Sequence, residues 1–291
     1  MSAWLPTAPC TPAGCADQPF HRPVPALRAA LRLAAGLAVV LLGIPGGLLI
    51  RPLARALREA AVRRWATAVV RAFGIRVRVY GHPGPPGGRL VVPNHISWLD
   101  VPLVATALPG RMLAKSEVRG YPVLGALAAR AGTLFIERDR LRALPATVDR
   151  ITTALLDGTR ITVFPEGSTW CGRAGGRFRP AAFQAALDAR VPVQPVRIDY
   201  RLPDGSTATA PAFVGDDPLG TSLWRVVRAR GVTAEIRLLP RIPAGRHADR
   251  RSLARAAQAA VASDSANLPA ASVHHSVSSS PAAASSARTP S

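Results

Sequence analysis

Lysine is nearly missing from this chain. Lys115 is the only lysine among 37 basic side chains, and all the others are arginine. So one-sided a choice reflects codon composition as much as function, and the net charge of +20 does not by itself indicate a nucleic acid. Aromatic side chains are also scarce, at 5%, which leaves little surface for stacking bases. Nucleic acid is therefore not expected as a partner, and the charge points to an anionic membrane lipid surface. Cysteine is limited to Cys10, Cys15 and Cys171. An odd count, with two in a proline-rich leader and the third alone, gives no disulfide framework and suggests a reducing compartment. No CxxC or paired His/Cys spacing is present, so no zinc, other metal or cofactor is expected. A GxSxG nucleophile elbow is missing as well.

What is present is enough for a sizeable core: 291 residues, of which 48% are hydrophobic. Residues 1–23 hold five prolines and little periodicity, and they lack the basic start of a secretory signal. They are expected to be a disordered leader. Residues 24–74 are expected to form a membrane-associated helical segment. Its centre is the uncharged run LAAGLAVVLLGIPGGLLI at 33–50, near the lower length limit for a membrane span. The GIPGG at 43–47 interrupts that run, because Pro45 removes a helix donor and glycine weakens a turn. This favours a broken pair of helices that enters one leaflet and returns. A single tilted span and a buried soluble helix are the alternatives. Arginines flank both ends, so no inside–outside asymmetry can be read. Residues 51–74 then continue as a basic interfacial helix, with Leu53, Leu57, Ala60, Ala61 and Trp65 near one side. The apolar segment and the reducing compartment together indicate the cytoplasmic face of the cell membrane.

From residue 75 short β-rich runs alternate with helical stretches. The strand candidates are 76–80, 90–92, 112–114, 133–136, 161–164, 193–199 and 234–239. The clearest helix is 144–156, where Leu144, Val148, Ile151 and Leu155 fall at helical spacing. Such alternation predicts an α/β domain over 75–262, with a mixed, largely parallel sheet flanked by helices. Residues 263–291 are a Ser- and Ala-rich tail that cannot bury a core.

The chemistry concentrates in NHISWLD at 94–100. His95 lies just beyond the apolar run 90–92, where reactive groups gather in open α/β sheets. A neutral imidazole can take a proton from a hydroxyl through one nitrogen, while Asp100 fixes the other nitrogen and stabilises the imidazolium. Ser97 is near in sequence but has no elbow to present it. A base and an orienter without a protein nucleophile suggest that the substrate brings its own hydroxyl. A histidine that caps a helix or packs in a turn would fit the pair alone equally well.

Three further segments separate these readings. GTLFIER at 132–138, VFPEGST at 163–169 and VPVQPV at 191–196 follow in order. The series NHxxxxD, GxxFIxR, FPEG, VPVxPV resembles the four motifs of the glycerolipid acyltransferases, which include bacterial 1-acylglycerol-3-phosphate acyltransferases. Lys115, in AKSEV, matches that family's Lys-x-Glu element. The resemblance covers about residues 75–200. It implies direct acyl transfer from acyl-ACP or acyl-CoA to the free hydroxyl of a lyso-lipid, with His95 as base and Asp100 as orienter. Arg138 would bind the acceptor's phosphate, Glu166 and Gly167 would shape the acceptor pocket, and Lys115 would bind substrate. The implied acceptor is 1-acylglycerol 3-phosphate. One departure weakens that last step. The family's third motif commonly reads Glu-Gly-Thr-Arg, whereas this chain reads Glu166-Gly167-Ser168-Thr169. Arg173, Arg177 and Arg179 follow closely. If none reaches back, another lyso-lipid, such as lyso-ornithine lipid or a lysophospholipid, is the acceptor.

Overall fold

The computed structural model describes residues 8–16, 23–137 and 140–266. After a helical turn at Pro12–Ala16 come two long helices, α1 (Ala26–Leu49) and α2 (Arg55–Ala72). Strands β1 (Arg76–Tyr80) and β2 (Arg89–Pro93) lead into α3 (Asp100–Ala107). Next follow β3 (Arg111–Lys115), α4 (Pro122–Arg130), β4 (Leu134–Ile136), α5 (Leu144–Leu156) and β5 (Arg160–Thr162). The chain continues through α6 (Phe183–Asp188), β6 (Val193–Arg201), α7 (Leu219–Arg228), β7 (Thr233–Leu238) and α8 (Arg250–Ala266).

The strands form one seven-stranded sheet in the order β1-β7-β6-β2-β5-β3-β4. From β6 to β4 every pairing is parallel; β7 runs antiparallel to β6, and β1 runs parallel to β7. The mixed, largely parallel sheet expected from the sequence is thus the observed one. Central β2 shows why: all five of its residues are buried, as a strand covered on both faces requires. Val91 packs on one face with Val69 and Val70 of α2, Phe73 just after it, Leu103 of α3 and Val226 of α7. Leu90 and Val92 face the other way, onto Ile151 and Leu155 of α5, Phe183 of α6 and Ala257 of α8. Each such buried aliphatic side chain contributes about 1.5–3 kcal/mol, so the strand cannot turn over without losing both layers.

The N-terminal helices differ from the expectation of a break at 43–47. Helix α1 runs unbroken through Pro45. Pro45 lies near the C-terminal end, where the lost donor leaves one carbonyl unpaired and the helix has little further to go. The reversal falls instead at residues 50–54, around Pro52, and α2 then returns antiparallel along α1. Glycines permit the close approach: a Cβ at Gly36 would lie 2.6 Å from the Phe73 ring, and one at Gly43 would lie 2.5 Å from the Trp65 ring. Trp65 Nε1–H donates to the Val39 carbonyl at 2.9 Å. Helix α1 is long and apolar enough to cross a membrane, and Leu37, Leu41, Leu42, Leu48 and Leu49 on it are exposed.

Helix α2 is more deeply tied to the domain than an interfacial helix need be. Ala66, Val69, Val70 and the following Phe73 are buried, and Phe73 meets Trp98 edge-on with ring centroids 5.1 Å apart. Glu59 pairs with buried Arg160 of β5 at 3.0 Å. Arg32 of α1 caps the end of α7 by donating to the carbonyls of Val227 and Ala229 at 3.1 and 3.0 Å. The segment expected as a leader also makes contact, with Cys10 and Ala16 buried against the core. At the other end, α8 extends four residues into the expected tail, and the remainder of that tail lies outside the described residues.

Candidate active site

The C-terminal ends of parallel β2 to β6 share one edge of the sheet, the place where an open α/β sheet presents its reactive groups. The chain leaves β2 through Asn94, His95, Ile96 and Ser97 and enters α3 at Asp100. Asn94 fixes this loop to β6: its Nδ2 donates to the Ile198 carbonyl at 2.9 Å, and its Oδ1 accepts the Ile198 N–H at 2.8 Å. Two further loop segments hold it through backbone bonds. Trp170 N–H donates to the His95 carbonyl at 2.8 Å, and Phe213 N–H donates to the Ile96 carbonyl at 3.0 Å.

Asp100 is completely buried, yet both of its oxygens are occupied. Oδ2 receives His95 Nδ1 at 2.8 Å and the N–H groups of Ile96 and Ser97 at 2.6 and 2.8 Å. Oδ1 receives the Tyr200 hydroxyl at 2.7 Å. Four donors converge on one carboxylate at the first turn of a helix, where the helix dipole also favours negative charge. Burial and the Asp100 charge push the Tyr200 hydroxyl well above its ordinary pKa, so it remains a donor. With Nδ1 committed to a carboxylate, the hydrogen-bond network assigns the proton to Nδ1 and leaves Nε2 as the acceptor. The imidazole is stacked on Phe164, with centroids 3.9 Å apart and 20° between planes. Its side chain keeps 19% of its surface open. The arrangement can take a proton from a hydroxyl delivered at the sheet edge.

Ser97 is no nucleophile here. It is fully buried, and its hydroxyl accepts the Leu99 N–H at 3.2 Å.

Glu166 is brought to the same site, beside the backbone of His95. It is buried, with Oε2 accepting the His95 N–H at 3.0 Å and Oε1 accepting the Gly176 N–H at 3.2 Å. Burial pushes its carboxyl up to about 8 against the opposing pull of those two amides. Glu166 thus supports the backbone of His95. Gly167 has φ +76°, a left-handed value that favours glycine and turns the chain back toward β2. Thr169, which stands where the family pattern has arginine, donates its hydroxyl to the Phe213 carbonyl. Arg173, Arg177 and Arg179 are exposed beyond it.

Lys115 ends β3, two strands away from β2. At strand spacings of about 4.8 Å this sets it roughly 10 Å along the edge from the dyad. Arg138 lies outside the described residues; its neighbour Glu137 is exposed and pairs with Arg140 at 3.3 Å. Sequence reasoning did not single out Asn94, Phe164 or Tyr200. Tyr200 lies one residue past the expected strand 193–199, and the extension of β6 to Arg201 is what carries it to Asp100.

Comparison with known proteins bears on the same region. The Acyltransferase family model matches residues 76–199. A lyso-ornithine lipid O-acyltransferase of Pseudomonas aeruginosa is 40% identical over 70% of this chain and 78% of its own length. A 1-acyl-sn-glycerol-3-phosphate acyltransferase of Neisseria meningitidis is 33% identical over 67% of this chain and 77% of its own. The crystal structure of the 1-acyl-sn-glycerophosphate acyltransferase PlsC from Thermotoga maritima shares the fold. It has a TM-score of 0.63 at 17% identity, over 85% of this chain and 97% of that one. The His and Asp at the end of β2 therefore sit in an O-acyltransferase, and the chain belongs to the PlsC-like glycerolipid acyltransferase family.

Proposed function

We propose that this chain transfers a fatty acyl group directly from a thioester, acyl-ACP or acyl-CoA, to the hydroxyl of a lyso-lipid at the cytoplasmic face of a membrane. His95 Nε2 takes the proton of the acceptor hydroxyl as its oxygen attacks the thioester carbonyl. Asp100 holds the tautomer and stabilises the imidazolium, which then protonates the departing thiolate. The observation that carries this reading is the saturated Asp100 carboxylate. Four donors fix it in place, so its remaining use is to orient and charge-match His95. General-base catalysis of this kind contributes about 10²–10⁴-fold. Exposed leucines along α1 support anchoring in the lipid from which the acceptor comes.

For the acceptor we favour lyso-ornithine lipid, whose amino-acid headgroup carries a carboxylate and an ammonium in place of a phosphomonoester. Thr169 supports this choice. It replaces a phosphate-holding arginine, and its hydroxyl is directed to the Phe213 carbonyl. The 40% identity to a lyso-ornithine lipid O-acyltransferase agrees. The second reading is 1-acylglycerol 3-phosphate, giving phosphatidate. It is favoured by the 33% identical Neisseria relative and by Arg138, to which the family motif gives a phosphate contact. Purified enzyme supplied with each lyso-lipid and one thioester, with products identified by mass spectrometry, decides between them. We expect kcat/KM for lyso-ornithine lipid to exceed that for lysophosphatidate by about tenfold or more, the scale of one charge-assisted contact. The opposite order would establish the second reading. Release of free fatty acid without either acceptor would contradict both.

A further inference from the structure

The three cysteines that spacing left unrelated converge in space. The sulfur atoms of Cys10, Cys15 and Cys171 all lie within 4.8 Å of one another. All three are free thiols; Cys10 and Cys171 are buried and Cys15 is half-buried. The turn at Pro12–Ala16 delivers Cys15 beside Cys10, closed by Cys15 N–H to the Thr11 carbonyl at 2.9 Å and by Gly14 N–H to Thr11 Oγ1 at 3.2 Å. Behind Cys10 the chain passes so close to Gly215 that an added Cβ there would lie 3.2 Å from the Cys10 carbonyl oxygen. Cys171 comes from the opposite side, directly after Trp170, whose N–H holds the His95 carbonyl. Backbone amides of Arg173 and Ala174 bond its sulfur.

We propose that Cys10, Cys15 and Cys171 form a three-thiolate zinc site that ties the N-terminal segment to the loop behind His95. With Zn–S bonds of about 2.3 Å, tetrahedral geometry sets sulfur atoms about 3.8 Å apart, so a contraction of about 1 Å at most closes the site. An all-sulfur donor set selects a thiophilic ion and rejects magnesium and calcium. Three thiolates leave one corner of the tetrahedron for water, and half-buried Cys15 marks the open side. The amides on the Cys171 sulfur are the outer contacts that orient a thiolate ligand. Binding exchanges three S–H protons for one Zn²⁺ and releases those protons to solvent. The resulting complex carries one net negative charge, in a chain whose net charge is +20. No oxidant is needed, in contrast to a disulfide between any two of these thiols.

The test uses the full chain, reduced and in detergent, reconstituted with zinc, desalted and assayed for metal by mass spectrometry. About one zinc per chain is expected, and Cys10→Ser and Cys171→Ser should each weaken retention against a chelator by roughly tenfold or more, since each removes one of three bonds to the ion. Cobalt in place of zinc should give the intense visible bands of a tetrahedral site and a thiolate-to-cobalt charge-transfer band in the near ultraviolet. That spectrum uses the wild-type chain, so it stands even where a variant misfolds. The proposal is overturned by a missing charge-transfer band when all three thiols titrate as reduced. Stoichiometric metal retained by the triple serine variant, or isolation of the chain from cells as a disulfide, would overturn it equally.

Discussion

Replacing Asp100 with asparagine isolates the role of its charge. The amide oxygen can occupy the Oδ2 position and still accept His95 Nδ1–H and the N–H groups of Ile96 and Ser97. The amide nitrogen then faces the Tyr200 hydroxyl, which can rotate to accept instead of donate. Geometry is kept and one negative charge is removed. Weaker bonds to a neutral acceptor cost about 1 kcal/mol each, but the desolvation penalty of a fully buried carboxylate disappears with the charge. These two effects oppose each other, and little change in Tm is expected. Catalysis has no such compensation. If His95 is the base, its transition-state imidazolium loses a unit charge about 4 Å from its centre, a loss of about 4 kcal/mol at an effective dielectric constant of 20. That corresponds to about 10³-fold in kcat, with KM for either substrate little changed. Steady-state release of the donor thiol, followed with a chromogenic thiol reagent, measures it. Tyr200→Phe is the control: it removes one donor to Oδ1 but keeps the charge. It should lower stability by about 1–3 kcal/mol and kcat by less than about tenfold. If Asp100→Asn keeps kcat within tenfold of wild type, or Tyr200→Phe is equally damaging to kcat, the charge argument fails.

Three further outcomes follow from the packing. Glu166 has a folded-state pKa of about 8 against an ordinary 4.5, so the folded chain holds this proton more tightly than the unfolded one. Its contribution to stability is complete below pH 4.5 and is lost as pH rises toward 8; Glu166→Gln should flatten Tm across that window, and an unchanged slope would remove Glu166 as its cause. Gly36→Leu should separate α1 from α2, because even a Cβ meets the Phe73 ring at 2.6 Å; a loss of about 1–3 kcal/mol is expected from overpacking, read as a lower unfolding midpoint in detergent. Changing exposed Leu37, Leu41 and Leu48 together to asparagine should move the protein from the high-salt membrane pellet to the supernatant, since salt leaves apolar insertion intact; retention in the pellet would place the anchor elsewhere.

The sheet was legible because its strands are apolar runs bounded by turn residues, and β2 and β6 had to be buried on both faces. Helix α5 was legible from the spacing of Leu144, Val148, Ile151 and Leu155. The His95 and Asp100 pair was visible because its members are five residues apart on one chain segment. Its support was not: Tyr200 and Asn94's partner Ile198 on β6, and Glu166 in the turn after β5, approach from about 70 to 105 residues away in sequence, and no local pattern signals such a contact. The same limit hid the meeting of Cys10 and Cys15 with Cys171. Pro45 misled for a different reason. A proline signals a lost donor, but where the helix ends depends on what packs beside it, and Gly36 and Gly43 hold α1 against α2 just ahead of Pro45. Thr169 was recognisable as a departure from the family pattern, while its engagement with Phe213 needed the fold.

The most direct measurement is the single-turnover rate of acyl transfer to lyso-lipid by His95→Ala, at saturating thioester and acceptor, with folding checked by far-UV circular dichroism. If His95 is the base, the rate falls by about 10²-fold or more while the circular dichroism and acceptor binding stay as in the wild type. A His95→Ala enzyme that folds normally and keeps more than about a tenth of the wild-type rate, above the range general-base loss allows, would contradict the assignment.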